Sequence, residues 1–139
     1  MLEQVRPNLK YTGQLVRYYR LQRGYTIKRL SILSGINASV LCSFEHKAKV
    51  CYKSLNTIQI ISNALNIPSF YITNADKLPE NSLAERLEKA RLLCCQNIKT
   101  ACQEIRIDEK SYYNLMRGKN ISKETLSKIT AYIQKHLKF

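Results

Sequence analysis

Residues 26–45, TIKRLSILSGINASVLCSFE, decide the fold, because they contain two short helical patterns separated by a glycine. Thr26 precedes the first pattern and has the side chain of a helix N-cap. Leu30 and Leu33 follow at helical spacing and are predicted to face inward. Glycine readily adopts the left-handed backbone conformation that ends many helices, so the first helix is predicted to stop at Gly35.

The second half of this stretch begins a new helix directly after the glycine. Asn37 can cap it, and Leu41 and Phe44 are its expected inward-facing residues. The result is a helix, a tight turn and a second helix. This is one of the few short sequence patterns that can place a helix in the major groove of DNA.

Apolar residues at helical spacing continue on both sides of the stretch. Before it, Thr12 opens a predicted helix that ends at Gly24. After it, Ser54 can cap a helix that Pro68 ends, and residues 69–72 are predicted to form one further helical turn. The residues expected to face inward are Leu15, Val16, Tyr19, Ile58, Ile61 and Leu65.

Residues 73–82 have the composition of a linker and predict a division of the chain into domains 1–76 and 77–139. Ser82 and Glu85 then form a capping box, which predicts a new helix at the start of the second domain.

The second domain repeats the first in weaker form. The predicted caps Thr26 and Asn37 are matched 71 residues later by Asn97 and Asp108 (26 to 97, 37 to 108). After a three-residue deletion the shift is 68, and it pairs Ser54, Thr57, Ile58, Ile61 and Leu65 with Ser122, Thr125, Leu126, Ile129 and Ile133. The pattern predicts a duplicated domain; one continuous helical bundle with accidental similarity is the alternative.

The charge of the chain favours an anionic partner. Lys and Arg number 23 against 10 Asp and Glu, a net charge of +13. Nucleic acid is the expected partner, and a basic surface that only confers solubility is the alternative. The chain has no apolar run of membrane-spanning length and no apolar signal core at its N-terminus. We therefore expect a cytoplasmic, nucleoid-associated protein with no membrane partner.

The five cysteines do not predict a disulfide framework or a metal site. Their number is odd, there is no Cys-x-x-Cys motif, and the two histidines are not at zinc-ligand spacing. We expect the cysteines to serve as small buried apolar residues, and redox sensing is the alternative. No metal or cofactor is expected. The sequence also lacks a suggestive His–Cys or His–Ser spacing, a glycine-rich phosphate loop and paired carboxylates in a plausible cleft, so it predicts no enzyme.

Residues 12–72 resemble the lambda-repressor/Cro (XRE-type) family of helix–turn–helix domains. The family pattern is a basic helix, a Thr, Leu-Ala-x-x-x-Gly, and a recognition helix ending in Glu-x-Gly-Lys. The matching residues here are Arg17, Arg20, Thr26, Leu30, Ser31, Gly35, Phe44, Glu45, His46 and Lys47. The resemblance implies an all-α chain of tandem helix–turn–helix domains, with about five short helices followed by about four. It also implies a structural ion pair between Arg20 and Glu45.

The second copy departs from the family pattern at two diagnostic positions. Arg91 matches Arg20, but Met116 takes the place of Glu45. Arg106 takes the place of Gly35, the residue of the inter-helix turn. We therefore interpret residues 77–139 as a degenerate helix–turn–helix-like domain that serves mainly in dimerisation.

The resemblance also implies which residues would contact DNA. The base-reading candidates are Asn37, Ala38, Ser39 and Ser43. The phosphate-binding candidates are Thr26, Lys28, Lys47, Lys49 and Lys53; a solvated basic face is the alternative for the lysines. Ile27 is a departure, because relatives often have a polar residue there that helps to hold phosphate.

The expected function is a sequence-specific, double-stranded DNA-binding transcriptional regulator, a repressor of phage or mobile-element type. A homodimer would present two recognition helices to a palindromic operator. The alternative is a protein-binding helix–turn–helix module, such as an anti-CRISPR or antitoxin-like protein, with a protein partner. The weak base-reading set, Ile27 and the acidic second copy favour that alternative.

Overall fold

The computed structural model describes residues 6–47 and 55–137, and the chain divides into two compact units, Met1–Asn74 and Ala75–Phe139. The division falls after Asn74, close to the predicted boundary after residue 76. All regular elements in the described ranges are helical, so the chain is all-α there. None of the helices in these ranges is both long enough and apolar enough to cross a membrane.

The first unit has four helices of two to three turns and one short helix. They are α1 (Thr12–Gln22), α2 (Ile27–Ser34), α3 (Ala38–Glu45), α4 (Leu55–Leu65) and α5 (Phe70–Thr73). Helix α1 packs against α3 and α5, and α2 packs against α3 and α4. The apolar residues buried between them include Leu15, Val16, Tyr19, Leu30, Leu41, Phe44, Ile58, Ile61, Leu65 and Ile72.

Local side-chain caps explain why α2 and α3 begin where they do. The Thr26 hydroxyl accepts a hydrogen bond from the amide of Arg29 at 3.0 Å. The Asn37 carboxamide oxygen accepts one from the amide of Ser39 at 2.8 Å. Between the two helices Gly35 is left-handed, with φ +73°, a conformation that glycine adopts without steric strain. These three residues produce the sharp change of direction between α2 and α3.

Two details of the predicted first unit were wrong. Leu33 does not face inward but is 41% exposed, and Leu30 is the one buried residue of α2. Thr12 does not cap α1; Tyr11 occupies the cap position without a side-chain hydrogen bond, and Thr12 is buried inside the helix. The predicted cap Ser54 lies outside the described residues.

The second unit begins with a single 3₁₀ turn, Ala75–Lys77, and continues with four helices. They are α6 (Leu83–Leu93), α7 (Ile98–Ile105), α8 (Glu109–Met116) and α9 (Lys123–His136). Helix α9 packs against α6 and α7. The core consists of Leu87, Ala90, Ala101, Cys102, Ile105, Tyr112, Ile129, Tyr132 and Ile133.

The two units repeat the same succession of helices. Helices α6, α7 and α8 begin and end 71 residues after α1, α2 and α3 (12 to 83, 27 to 98, 38 to 109). The turn between α7 and α8 is left-handed at Arg106, with φ 69°, as it is at Gly35 in the first unit. The match is imperfect in α9, where Leu126 is 41% exposed although its counterpart Ile58 is buried.

Candidate nucleic-acid interface

A buried ion pair joins α1 to the end of α3. Arg20 donates from Nε to Glu45 Oε2 at 2.7 Å and from Nη2 to Glu45 Oε1 at 3.0 Å. Both residues are buried, and Arg20 Nη1 also donates to the carbonyl of Tyr25 at 2.7 Å. The hydrogen bonds with Glu45 raise the pKa of Arg20 above its ordinary value. The structure thus brings the predicted pair together in a bidentate geometry that sets the angle of α3 against α1.

Sequence reasoning missed Gly13, which determines how closely α1 approaches α3. Gly13 is buried, and a Cβ at this position would overlap the backbone carbonyl oxygen of Phe44. A glycine in the first turn of a helix lowers helix stability, so its presence was a signal that close packing was required there.

The predicted base-reading residues all lie on the exposed side of α3. Asn37, Ala38, Ser39 and Ser43 are each exposed to solvent. The Asn37 carboxamide oxygen, however, already accepts from the Ser39 amide at 2.8 Å and from the Ser39 hydroxyl at 2.7 Å. A two-point contact with adenine needs that oxygen as an acceptor, so it would require Asn37 to give up its capping bonds.

An apolar residue that was not predicted belongs to the same exposed face. Val40 is 51% exposed. It lines an open groove of about 300 Å³ between α3 and the start of α4, together with Ser39, Ser43, Phe44, Lys47 and Thr57. Leu41 next to it is fully buried, because adjacent residues of a helix point about 100° apart.

The described phosphate candidates are exposed at helix ends. Thr26 and Lys28 lie at the N-terminus of α2, where Arg29 is also exposed. Free backbone amides and the positive end of the helix dipole favour an anion at this position. Lys47 is exposed just beyond the C-terminus of α3. Lys49 and Lys53 lie outside the described residues.

The first unit has almost no negative charge to offset its basic surface. Its carboxylates are Glu3, outside the described residues, and Glu45. The Glu45 side chain is only 2% exposed and is neutralised by Arg20. In the described part of this unit, every exposed ionised side chain is therefore basic. The exposed lysines and arginines are Lys10, Arg17, Arg23, Lys28, Arg29 and Lys47.

The corresponding face of the second unit has a different charge. Asp108 caps α8 by accepting from the Ser111 amide at 2.8 Å, and hydrogen bonds from Ser111 lower the pKa of Asp108. Glu109 and Lys110 are exposed beside it. This face therefore presents two carboxylates where the first unit has Asn37 and Ala38, and carboxylates oppose the approach of phosphate.

Arg91 pairs with a different carboxylate in the second unit. With Met116 in the place of Glu45, the Arg91 guanidinium instead donates to both carboxylate oxygens of Glu88 at 2.8 Å. It also donates to the Tyr112 hydroxyl at 3.0 Å, and Tyr112 in turn donates to Glu88. Burial opposes the charge on Glu88, but the hydrogen bonds from Arg91 and Tyr112 outweigh it and lower the pKa of Glu88. Sequence reasoning missed this cluster, although the i,i+3 spacing of Glu88 and Arg91 was a signal.

The described cysteines are all free thiols. Burial raises the pKa of Cys94 and of Cys102 to about 11, which makes both poor nucleophiles. Cys42 is exposed, contrary to the buried role predicted for the cysteines. Its sulfur lies 3.9 Å from His46 Nδ1, but that nitrogen is 2.7 Å from the Cys42 carbonyl oxygen. In the described ranges no three His, Cys, Asp or Glu side chains converge as a metal site.

Comparisons with models of known protein families, with curated proteins and with solved structures found no match to this chain. The interpretation of the exposed face of α2 and α3 therefore depends on its own geometry and charge.

Proposed function

We propose that this protein is a sequence-specific, double-stranded DNA-binding transcriptional regulator, a repressor of phage or mobile-element type. Its two units are tandem lambda-repressor-like helix–turn–helix domains in this proposal, and it acts in the cytoplasm at the nucleoid. The observation that carries it is the charge of the first unit. The one carboxylate in the described part of that unit, Glu45, is buried against Arg20, so the exposed ionised side chains of that part are basic and attract anions.

In the proposed mechanism α3 enters the major groove and α2 rests on the backbone. The exposed side chains of Ala38, Ser39 and Ser43 are small and can approach base edges closely. Thr26 and Lys28 at the start of α2 bind phosphate, as does Lys47 beyond α3. Affinity then depends mainly on phosphates, because the described part of α3 has no arginine to contact guanine.

The second unit has a pairing role in this proposal. Its reading face is acidic at Asp108 and Glu109, and Tyr113 and Leu126 are exposed apolar residues on α8 and α9. A homodimer formed through this unit places two copies of α3 on a palindromic operator, with half-sites about one helical turn apart.

A protein-binding module, such as an anti-CRISPR or antitoxin-like protein, is the second candidate function. One observation favours it: the Asn37 carboxamide oxygen is occupied by Ser39, which leaves few hydrogen-bonding groups on α3 free to read bases. In that case the basic surface would bind an acidic protein.

The deciding experiment is selection of binding sites from random duplex DNA with the full chain, followed by titration of the selected site with salt. We expect an enriched sequence whose affinity falls steeply as salt rises. Lys28→Gln should weaken binding to all duplexes. If Lys28 binds one phosphate, the plot of log binding constant against log salt concentration should also become less steep by about 0.9. Lys135→Gln, which removes an exposed lysine of α9, is the control and should change neither. If no sequence is enriched, the regulator proposal fails and the protein-binding module is favoured.

A further inference from the structure

The groove on the exposed side of α3 combines one apolar wall with polar groups. Val40 and Phe44 provide the apolar lining, of which Val40 is the exposed part, and the other lining residues are Ser39, Ser43, Lys47 and Thr57. The groove is open to solvent and lies on the helix that carries the base-reading candidates.

Val40 has no polar atom in its side chain, so it cannot read a base by hydrogen bonding. The C5 methyl group of thymine is the apolar group that base pairs present in the major groove. Contact between the two removes both from water, which is favourable in proportion to the apolar area buried. The Ser43 hydroxyl can donate to or accept from a polar base edge beside such a contact, and the Ser39 hydroxyl, which donates to Asn37, can accept.

The contrast between the units supports a specific role for this residue. The position equivalent to Val40 in the second unit is Ser111 (40 to 111), a residue of the acidic face of α8. The exposed valine is thus a feature of the unit whose surface is basic.

We propose that Val40 contacts a thymine methyl group and sets a preference for thymine at one position of the bound site. This inference rests on the proposed function, because it requires α3 to lie in the major groove. It adds a specificity-determining residue to the four predicted from the sequence.

The test uses the full chain and the duplex that selection yields, with each thymine replaced singly by deoxyuridine, which lacks only the methyl group. At one position the natural protein should lose about fourfold in affinity, the change expected for one buried methyl group. Val40→Ser should bind the thymine and deoxyuridine duplexes equally at that position. Leu21→Ser, which removes an exposed leucine of α1 instead, should keep the fourfold difference.

The outcomes separate this inference from the proposed function. An enriched site that tolerates every deoxyuridine replacement overturns the role of Val40 and leaves the regulator proposal standing. If Val40→Ser retains the fourfold difference, the role of Val40 is again overturned and the regulator proposal still stands. Failure to enrich any sequence overturns both, and a thermal melt followed by circular dichroism verifies that each variant is folded.

Discussion

At the scale of single residues, the two buried arginines show how one structural role can be filled in two ways. Arg20 and Arg91 occupy equivalent positions and donate to the equivalent carbonyls of Tyr25 and Gln96, at 2.7 and 2.9 Å. A buried guanidinium needs a carboxylate, because an uncompensated charge in the interior is strongly destabilising. The carboxylate comes from the end of α3 in the first unit and from α6, three residues before Arg91, in the second.

Removal of the carboxylate from the first pair should destabilise that unit. Glu45→Gln leaves Arg20 charged and buried without compensation, and we expect a loss of about 3 kcal/mol in the free energy of unfolding. Urea unfolding gives the value, and amide hydrogen exchange should locate it in α1 and α3. Glu124→Gln breaks an exposed pair with Lys128 instead and should change stability by less than about 1 kcal/mol. Equal effects of the two variants would contradict a stabilising role of the ion pair between Arg20 and Glu45.

The cluster of Arg91, Glu88 and Tyr112 should make the stability of the second unit depend on pH. The pKa of Glu88 is lowered from 4.5 in the folded state, so its charge contributes stability above pH 4.5 that is lost as the pH falls through the lower, folded-state pKa. Glu88→Gln should therefore reduce the free energy of unfolding by about 1 kcal/mol at neutral pH, a modest value because Glu88 is partly exposed.

Urea unfolding at neutral pH and in steps below pH 4.5 measures this effect. The difference between the natural protein and Glu88→Gln should shrink as the pH falls, because a protonated Glu88 resembles glutamine. Glu124→Gln is again the control. A difference that stays constant over the whole range would show that Arg91 does not depend on the Glu88 charge.

At the scale of elements, the turn between the second and third helix of each unit requires a left-handed residue. Gly35 meets the requirement without strain, whereas Arg106 adopts φ 69° with a full side chain. A left-handed conformation is unfavourable for residues with a Cβ by about 1–2 kcal/mol. The helix pair α7–α8 therefore forms in spite of its turn residue, held by the caps at Asn97 and Asp108 and by the core.

Replacement of that arginine by glycine should stabilise the second unit. Arg106→Gly relieves the backbone strain, and the gain should be about 0.5–1 kcal/mol after the greater freedom of glycine in the unfolded chain is subtracted. Thermal unfolding followed by circular dichroism measures it. Arg117→Gly removes the same side chain at an ordinary φ of −86° and should give no gain. A stabilisation of the same size in both variants would indicate an effect of charge rather than of the turn.

At the scale of the whole molecule, charge is divided unequally between the two units. The chain has ten carboxylates; two lie in the first unit, so eight lie in the second. A strongly basic unit attracts polyanions at long range, whereas mixed charge on the second unit does not repel a second copy of the chain as strongly. This asymmetry agrees with the proposed separation of DNA contact and pairing.

The pairing role predicts a dimer in solution. Light scattering at micromolar concentration, on and off DNA, should give a protein mass of about twice the 16.1 kDa of one chain. The double variant Tyr113→Ser/Leu126→Ser should shift the mass toward that of one chain, because it removes exposed apolar residues of α8 and α9. Leu21→Ser in the first unit should leave the mass unchanged. A mass of one chain for the natural protein in both conditions would rule out pairing through the second unit.

The sequence by itself determined that the described part of the chain is helical and where several of its helices begin, although not at Thr12. Thr26, Asn37, Asn97 and Asp108 cap the helices as predicted, because an N-cap needs only a polar side chain and the amides two or three residues later. The spacing of the two copies was readable for the same reason, since caps and apolar periodicity are local. The roles proposed for Lys28 and Ser43 on DNA remain predictions.

Only the tertiary structure decided which side chains meet and which remain exposed. The overlap that forbids a side chain at Gly13 and the exposure of Val40 depend on how helices pack. The hydrogen bond from Arg91 to Tyr112 likewise joins groups from two helices. Such contacts are set by distances in space between residues far apart in the chain, and no local pattern encodes those distances.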